Sequence, residues 1–220
     1  MAYPALELID FHAWHQYRGA LIRGLNVKVA QGETIAFLSP NRHARQVLVD
    51  SLVGRHKDKQ GSIRILNTET SHLDTASLQR FGIVYCDPQG GIVPHLNTEE
   101  NLLLPPFGSS LVGGGLPLLE IFLLFPQLEQ ELYTLSSSLN PSLKLQLAWA
   151  RALRTGARIF IFHGLKQYLA AAQPLALEPL LKQLNQRNYT IILVDNQDSN
   201  IAQYSSQHYA LEPTPCHSRC

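Results

Sequence analysis

The sequence predicts an α/β fold with a mostly parallel sheet, an antiparallel β layer and a helical lobe, and three observations carry that expectation. Phe81 to Cys86, Ala157 to Phe162 and Thr190 to Val194 are apolar on both strand faces, the pattern of strands covered on two sides. Amphipathic, helix-length stretches alternate with these strands, as parallel crossover connections require. Leu6 to Phe11 and Leu25 to Val29 instead alternate apolar and polar residues, which suits a sheet with one wetter face.

Taken in order, the two alternating strands are joined by a connection that holds Trp14, His15 and Tyr17. Those rings are either a platform for a flat base or edge packing for the sheet. Ala30 to Glu33 reads as a turn into the strand that opens at Thr34. Gly61 to Leu66 is a further strand, and Ser77 to Arg80 a helical turn. Asp87 to Gly91 breaks the strand that ends at Cys86. From Thr98 the pattern is helical to about Leu153, with a stop at Pro105-Pro106, a flexible linker over Gly108–Gly115, and a break at Pro126 within Leu116 to Leu132. Asn140-Pro141 supplies an N-cap and a first-position proline, and Leu143, Leu147, Ala150 and Leu153 trace one face of the helix behind them. Leu175 to Asn188 is an amphipathic helix, and His208 to Leu211 a last strand.

Composition narrows the function. With 220 residues and 45% hydrophobic content the chain buries a substantial single core. A net charge of +1 without a basic run gives no argument for nucleic acid. No apolar run reaches the roughly 20 residues of a membrane span. Met1-Ala2-Tyr3-Pro4 does not resemble a secretion leader, so a cytoplasmic chain is the expectation. Cys86, Cys216 and Cys220 form no disulfide framework. Cys216-His217-Ser218-Arg219-Cys220 has metal-ligand residue types but no second cluster, so no metal site is assigned and 213–220 is read as a flexible tail.

The chemistry-bearing stretch is Thr34 to Val49: an apolar strand, a break at Ser39-Pro40-Asn41, and a helix-compatible run. Strand, tight loop and helix form the context in which a P-loop turns backbone N–H groups toward phosphate. The motif G-x-x-x-x-G-K-S/T falls on Ser39, Pro40, Asn41, Arg42, His43, Ala44, Arg45 and Gln46. Both glycines, the lysine and the hydroxyl residue are replaced. Arg45 keeps a positive charge on a bulkier planar group. Arg42, His43 and Arg45 at a helix start form either an anion site or a solvated basic loop.

In this order the features resemble the ATP-binding subunit of ABC transporters, from about Leu6 to Glu212. Gly24-Leu25-Asn26-Val27 with Gly32-Glu33, Gly61 to Arg64, Pro94 to Leu102, and Leu147 to Leu153 carry the resemblance. Leu124-Phe125-Pro126-Gln127-Leu128 is similar to the branched-chain amino-acid importer subgroup. The resemblance implies a P-loop NTPase-like, ABC ATPase-like domain over 1–212, with its helical lobe at about 98–150.

The same resemblance places the L-S-G-G-Q signature on Leu139, Asn140, Pro141, Ser142 and Leu143, without either glycine. Close backbone approach to a γ-phosphate needs glycine, and Pro141 removes an N–H. The Walker B strand is Ile159 to Phe162, and its acidic pair falls on His163 and Gly164, neither able to hold Mg²⁺ or orient water as a carboxylate does. His163 reads as a strand-end histidine bonded to backbone, not as a base. The Q-loop glutamine aligns with Pro88, next to Gln89, and the switch histidine with Asn196.

The expectation is therefore a non-hydrolysing homologue with no catalytic residue, docked on a membrane permease or paired with a second ATP-binding subunit, peripheral at the inner membrane face. ATP binding without hydrolysis stays open as its cofactor chemistry. The groove that receives a permease's coupling helix in the family falls here between Asp87 and Leu104, with Leu102, Leu103 and Leu104 as anchors. Two alternatives stay open: a divergent ATPase using a carboxylate such as Asp87, Asp195 or Asp198, and an anion-binding module resting on Arg42 and Arg45.

Overall fold

A five-stranded parallel sheet lies between an antiparallel β layer and a set of helices. The computed structural model describes residues 3–15, 19–86, 91–104, 114–165 and 177–211. The parallel strands are β3 (Thr34–Leu38), β6 (Ile83–Cys86), β7 (Ile159–His163), β8 (Thr190–Asp195) and β9 (Gln207–Ala210), in spatial order β6-β7-β8-β3-β9. The antiparallel layer, in order β2-β1-β4-β5, is built from β1 (Leu6–His15), β2 (Gly19–Val29), β4 (Lys59–Ile65) and β5 (Thr68–Glu69). The expected fold class is the one observed.

One boundary differs in a way that matters for the site. β1 continues to His15, so Trp14 and His15 lie within the strand, paired with Ala20 and Gly19, and not in a connection. Register shifts after Leu8, Phe11 and Ala13 interrupt the two-residue alternation, so the pattern stops near Phe11 while the pairing goes on. Tyr17 lies outside the described residues, as do 87–90, 105–113, 166–176 and the tail from 212. That excludes Pro88 and Gln89, Pro105-Pro106, most of the glycine linker and both tail cysteines.

Helices α1 (Arg42–Leu52), α2 (Thr75–Arg80) and α7 (Leu177–Gln186) accompany the sheet. The lobe contains α3 (Thr98–Leu103), α4 (Leu118–Leu124), α5 (Pro126–Gln130), a 3-10 turn at Ser136–Ser138, and α6 (Pro141–Leu153). The stretch from Leu116 to Leu132 divides at Phe125, because Pro126 opens α5 and cannot extend α4.

The doubly apolar strands have a simple cause. One sheet face, with Ile35, Phe37, Ile161 and Ile192, packs with Leu6, Phe11 and Leu48 from the β layer and α1. The other, with Phe160, Phe162 and Leu193, packs with Trp149, Leu153 and Leu184 from α6 and α7. The Trp149 ring centroid lies 3.9 Å from that of Phe162. Each such side chain contributes roughly 1.5–3 kcal/mol on burial, so these two layers fix where the ends of β3, β7 and β8 lie.

The lobe is attached through a saturated polar joint. Asn97 accepts from the Glu100 N–H at 2.8 Å while Glu100 accepts from the Asn97 N–H at 2.8 Å, a reciprocal capping box at α3. Buried Asn101 donates to Val93 O at 3.1 Å and Asn97 O at 2.9 Å, and accepts from Val93 N at 2.8 Å and Arg151 Nη1 at 3.0 Å. Gly115 closes the other side. A Cβ there would come within 1.9 Å of Arg154 O, and Leu116 N–H donates to Leu153 O at 3.1 Å, so only glycine lets the chain cross the end of α6.

Candidate nucleotide site

At the carboxyl edge of the parallel sheet, β3 turns into α1 through three residues, Ser39, Pro40 and Asn41. Asn41 has an extended backbone and its Oδ1 accepts from the His43 N–H at 2.9 Å, which starts the helix at Arg42. Arg42 through Gln46 are therefore already helical, where the P-loop motif asks for wrapping loop. The Asn41 N–H donates to Ser39 Oγ at 3.1 Å, and the Arg45 N–H to Asn41 O at 3.2 Å. Arg45 folds back so that Nη1 donates to Ser39 O, while its Nε is buried without a partner.

Neither Ser39 nor Ala44 has a positive φ, so both sit in backbone regions open to residues with a Cβ. Ala44 is fully buried and Arg42 exposed. The motif's positive residue thus points into the chain's own backbone, and two loop N–H groups are already bonded to nearby side chains.

Of the expected ring platform, His15 reaches this region: its ring meets that of His43 edge-on at 5.3 Å. Trp14 instead stacks on His12, with centroids 6.0 Å apart and planes at 15°. Both are half-buried.

The Walker B counterpart lies two strands away on the same edge. His163 ends β7 opposite Val194, and the Gly164 N–H donates to Val194 O at 3.0 Å. Gly164 has φ +70°, so a side chain there costs roughly 1–2 kcal/mol of backbone strain.

Asp195, one of the three acids open to a divergent ATPase, closes β8 next to the loop. Parallel pairing sets Asp195 opposite Leu38, and Asp195 O accepts from the Ser39 N–H at 3.1 Å. Its side chain is buried and Oδ1 accepts from the Asn196 N–H at 2.7 Å. The signal in sequence was an acid closing an apolar strand; the strand order that brings it to Ser39 was not.

The signature counterpart lies apart, at the head of α6 in the lobe. Asn140 Oδ1 accepts from the Leu143 N–H at 2.9 Å, Pro141 occupies the first helical position, and Ser142 is buried. The helix start is capped from within.

Between core and lobe runs a cleft of about 210 Å³ lined by Val84, Tyr85, Leu102, Leu104, Ala148 and arginine side chains, with buried Cys86 at its wall. Burial pushes the Cys86 thiol up. The cleft lies at the position expected for the docking groove. Leu102 and Leu104 line it, and Leu103 is exposed outside that lining. Among the described residues no cluster of His, Cys, Asp and Glu suits a metal ion, and no helix is long and apolar enough to cross a membrane.

The architecture is the ATP-binding-cassette fold. A nucleotide-free ATP-binding cassette of an ABC transporter superposes with a TM-score of 0.76 at 17% identity, covering 96% of this chain and 87% of that one. A cassette in a post-hydrolysis state with ADP and Pi gives 0.75 at 20% identity, covering 94% of each. No family model matches the chain.

In sequence the chain resembles the ATP-binding cassette domains of ABC transporters. The macrolide export ATP-binding/permease protein MacB of Bordetella avium is 23% identical over 93% of this chain and 32% of its own length. The sn-glycerol-3-phosphate import ATP-binding protein UgpC 2 of Rhizobium johnstonii is 28% identical over 44% of this chain and 27% of its own length. The ribose import ATP-binding protein RbsA of Bacillus subtilis is 26% identical over 49% of this chain and 22% of its own length. The chain spans about a third or less of the length of each of these relatives.

Proposed function

We propose that this chain is a non-hydrolysing ATP-binding-cassette subunit that acts by docking, on a membrane permease or against a second ATP-binding subunit. One observation carries the reading. The P-loop frame is closed on itself, with α1 beginning at Arg42 and Arg45 bonded to Ser39 O. Phosphoryl transfer depends on positioned N–H groups, a cation and a metal-holding carboxylate. Here the N–H groups are partly consumed, the cation is turned inward, and His163 and Gly164 stand where the acids belong. The lobe joint and the cleft beside it are what a docking subunit uses.

The reading is tested by assaying purified chain for Mg²⁺-dependent ATP hydrolysis, alongside detergent co-purification from its own cells. Hydrolysis at the background of a no-protein control, with an integral membrane protein or cassette subunit recovered, is the expected result. Turnover abolished by Arg45→Ala, or a lone monomer with no such partner, overturns it.

A second reading, a divergent ATPase, is favoured by Asp195, whose side chain is buried and whose backbone O accepts from the Ser39 N–H. Asp195→Asn separates the two, since only a divergent ATPase loses turnover. The anion-module alternative keeps exposed Arg42 as its main support, because Arg45 is engaged with Ser39. Affiliation with the branched-chain importers rests on Leu124 to Leu128. Leu124, Phe125 and Leu128 are core residues, so packing accounts for their identity, and the curated relatives include both export and import proteins.

A further inference from the structure

A cavity of about 320 Å³ lies at the amino edge of the parallel sheet, where β7 and β8 begin at Ile159 and Thr190. Its apolar walls are Ala5, Leu66, Phe81 and Ile159, and its charged side chains are Arg158 and Arg187. Among the described residues the lining holds no Asp or Glu. The two acids outside the described residues, Asp87 and Glu212, follow Cys86 and Leu211, which lie at the opposite, carboxyl edge. Arg158 is fixed from both sides: its N–H donates to Gly82 O at 2.8 Å, and its carbonyl accepts from the Thr190 N–H at 2.8 Å. Its guanidinium sits over the Tyr189 ring, 5.0 Å from the centroid. No carboxylate among the described residues lies within ion-pair distance of it. A guanidinium placed over a ring keeps the N–H groups at its rim for another partner. Arg187 differs, because Glu120 already pairs with it at 3.5 Å.

The carbonyls that close α7 beside this cavity are used within the chain. Leu184 O accepts from the Tyr189 N–H at 3.0 Å, and Asn185 O from the Asn188 N–H at 2.8 Å, so neither stands free to repel an anion. Asn188 Nδ2 reaches Gln31 Oε1 only at 3.5 Å, the outer limit of a hydrogen bond, which leaves two carboxamides in the lining for polar contacts. Size and charge then select the occupant. About 320 Å³ is the lower end of the roughly 300–1,000 Å³ of small-molecule sites. One guanidinium without a carboxylate partner matches a single negative charge, and the apolar walls match a compact apolar body.

We propose that this cavity binds a small organic monocarboxylate, its carboxylate forked on Arg158 and its apolar body against Leu66, Phe81 and Ile159. Pairing of a carboxylate with the planar guanidinium is bidentate and charge-assisted, which fixes orientation as well as adding affinity. A dianion such as phosphate brings a second charge, which Arg187 meets only by giving up Glu120. The inference is independent of the docking reading, since the cavity lies at the sheet edge away from both Ser39 and the cleft beside the lobe.

The test titrates the full chain with phenylacetate and with its neutral counterpart phenylacetamide, both followed by saturation-transfer NMR, and uses inorganic phosphate as a competitor. Phenylacetate is expected to bind at least about tenfold more tightly than the amide, and equimolar phosphate to leave it in place. Arg158→Gln, with a melting curve to confirm folding, brings phenylacetate down to the level of the amide and leaves the amide unchanged. If that variant does not fold, a photoreactive aryl carboxylate on the wild-type chain decides, with crosslinks expected on peptides that carry Leu66, Phe81 or Ile159. The inference is overturned by equal binding of acid and amide, by no binding of phenylacetate, or by its displacement with equimolar phosphate. A preference for the acid that survives in folded Arg158→Gln overturns it too, as do crosslinks confined to other peptides.

Discussion

Two of the helix starts capped by asparagine, those of α3 and α1, differ in what surrounds them. At α3, Asn97 and Glu100 satisfy each other's N–H groups, and buried Asn101 behind them bonds at both ends of its amide. At α1, Asn41 caps the helix, but Arg45 is bent onto the Ser39 carbonyl with a buried Nε left over. The first joint is saturated and holds the lobe to the core. The second, on the proposed reading, is a nucleotide loop bonded within itself, with Arg45 Nε left as a buried donor without a partner. A polar joint that needs no ligand stabilises the fold outright, whereas a site built for a ligand must find substitutes once its residues change.

Asn101→Leu is the harshest way to break the contrast. It strands the Val93 backbone groups and Arg151, and is expected to cost about 3 kcal/mol. That corresponds to a fall of roughly 6–12 °C in melting temperature for a chain of this size. A loss no larger than that of Asn41→Ala would erase the distinction between the joints.

Rebuilding the loop sharpens the contrast from the other side. Ser39→Gly, Ala44→Gly, Arg45→Lys and Gln46→Ser together free the turn and are expected to raise Mg²⁺-ATP affinity at least tenfold, about 1.4 kcal/mol. Hydrolysis should remain absent, because His163 and Gly164 still supply no carboxylate. Isothermal titration and a phosphate-release assay read the two separately; unchanged affinity would mean that the loop residues are not what closes the site.

Asn41→Ala removes only a cap and is expected to cost about 1 kcal/mol, or roughly 2–4 °C in melting temperature. A cost equal to that of Asn101→Leu would show that the loop, too, is a structural joint.

The smallest effect lies in the β layer, distant in role from both joints. Burial pushes the Glu69 carboxyl up, but hydrogen bonds from Ser62 and Ser71 outweigh it and hold the pKa down to about 2, against 4.5 unperturbed. A pKa depressed on folding stabilises above the unfolded value and stops doing so as pH falls through the folded one. The contribution is therefore present above pH 4.5 and lost between there and about pH 2. With 44% of the side chain exposed, solvent screening keeps it below about 1 kcal/mol. Glu69→Gln is expected to flatten stability against pH in that window alone, as followed by urea midpoints.

Much of the architecture was legible from residues alone, for local reasons. Ile159 to Phe162 and Thr190 to Val194 announce buried strands because neither face tolerates a polar side chain. Asn140-Pro141 announces a helix start because cap and proline act within one turn. Ser39 and Ala44 stand at the motif's glycine positions, where a Cβ disfavours left-handed backbone, and neither has a positive φ. The end of β1 was not legible, because its register shifts hide a continuing strand from any two-residue pattern.

What only the tertiary structure decided are relations between distant segments. The order β7-β8-β3 sets Asp195 beside Ser39, residues far apart in the chain, and no spacing rule could have joined them. The packing of α6 against β6 and α3 sets Arg151 and Arg154 at one cleft, and Arg55, from the segment after α1, lines it too. Periodicity and turn chemistry act over a few residues and are written in the chain itself. Charge and carboxylate placement at a site depend on which strands pair and which helices cross, and that is settled only when the two apolar sheet faces are buried together.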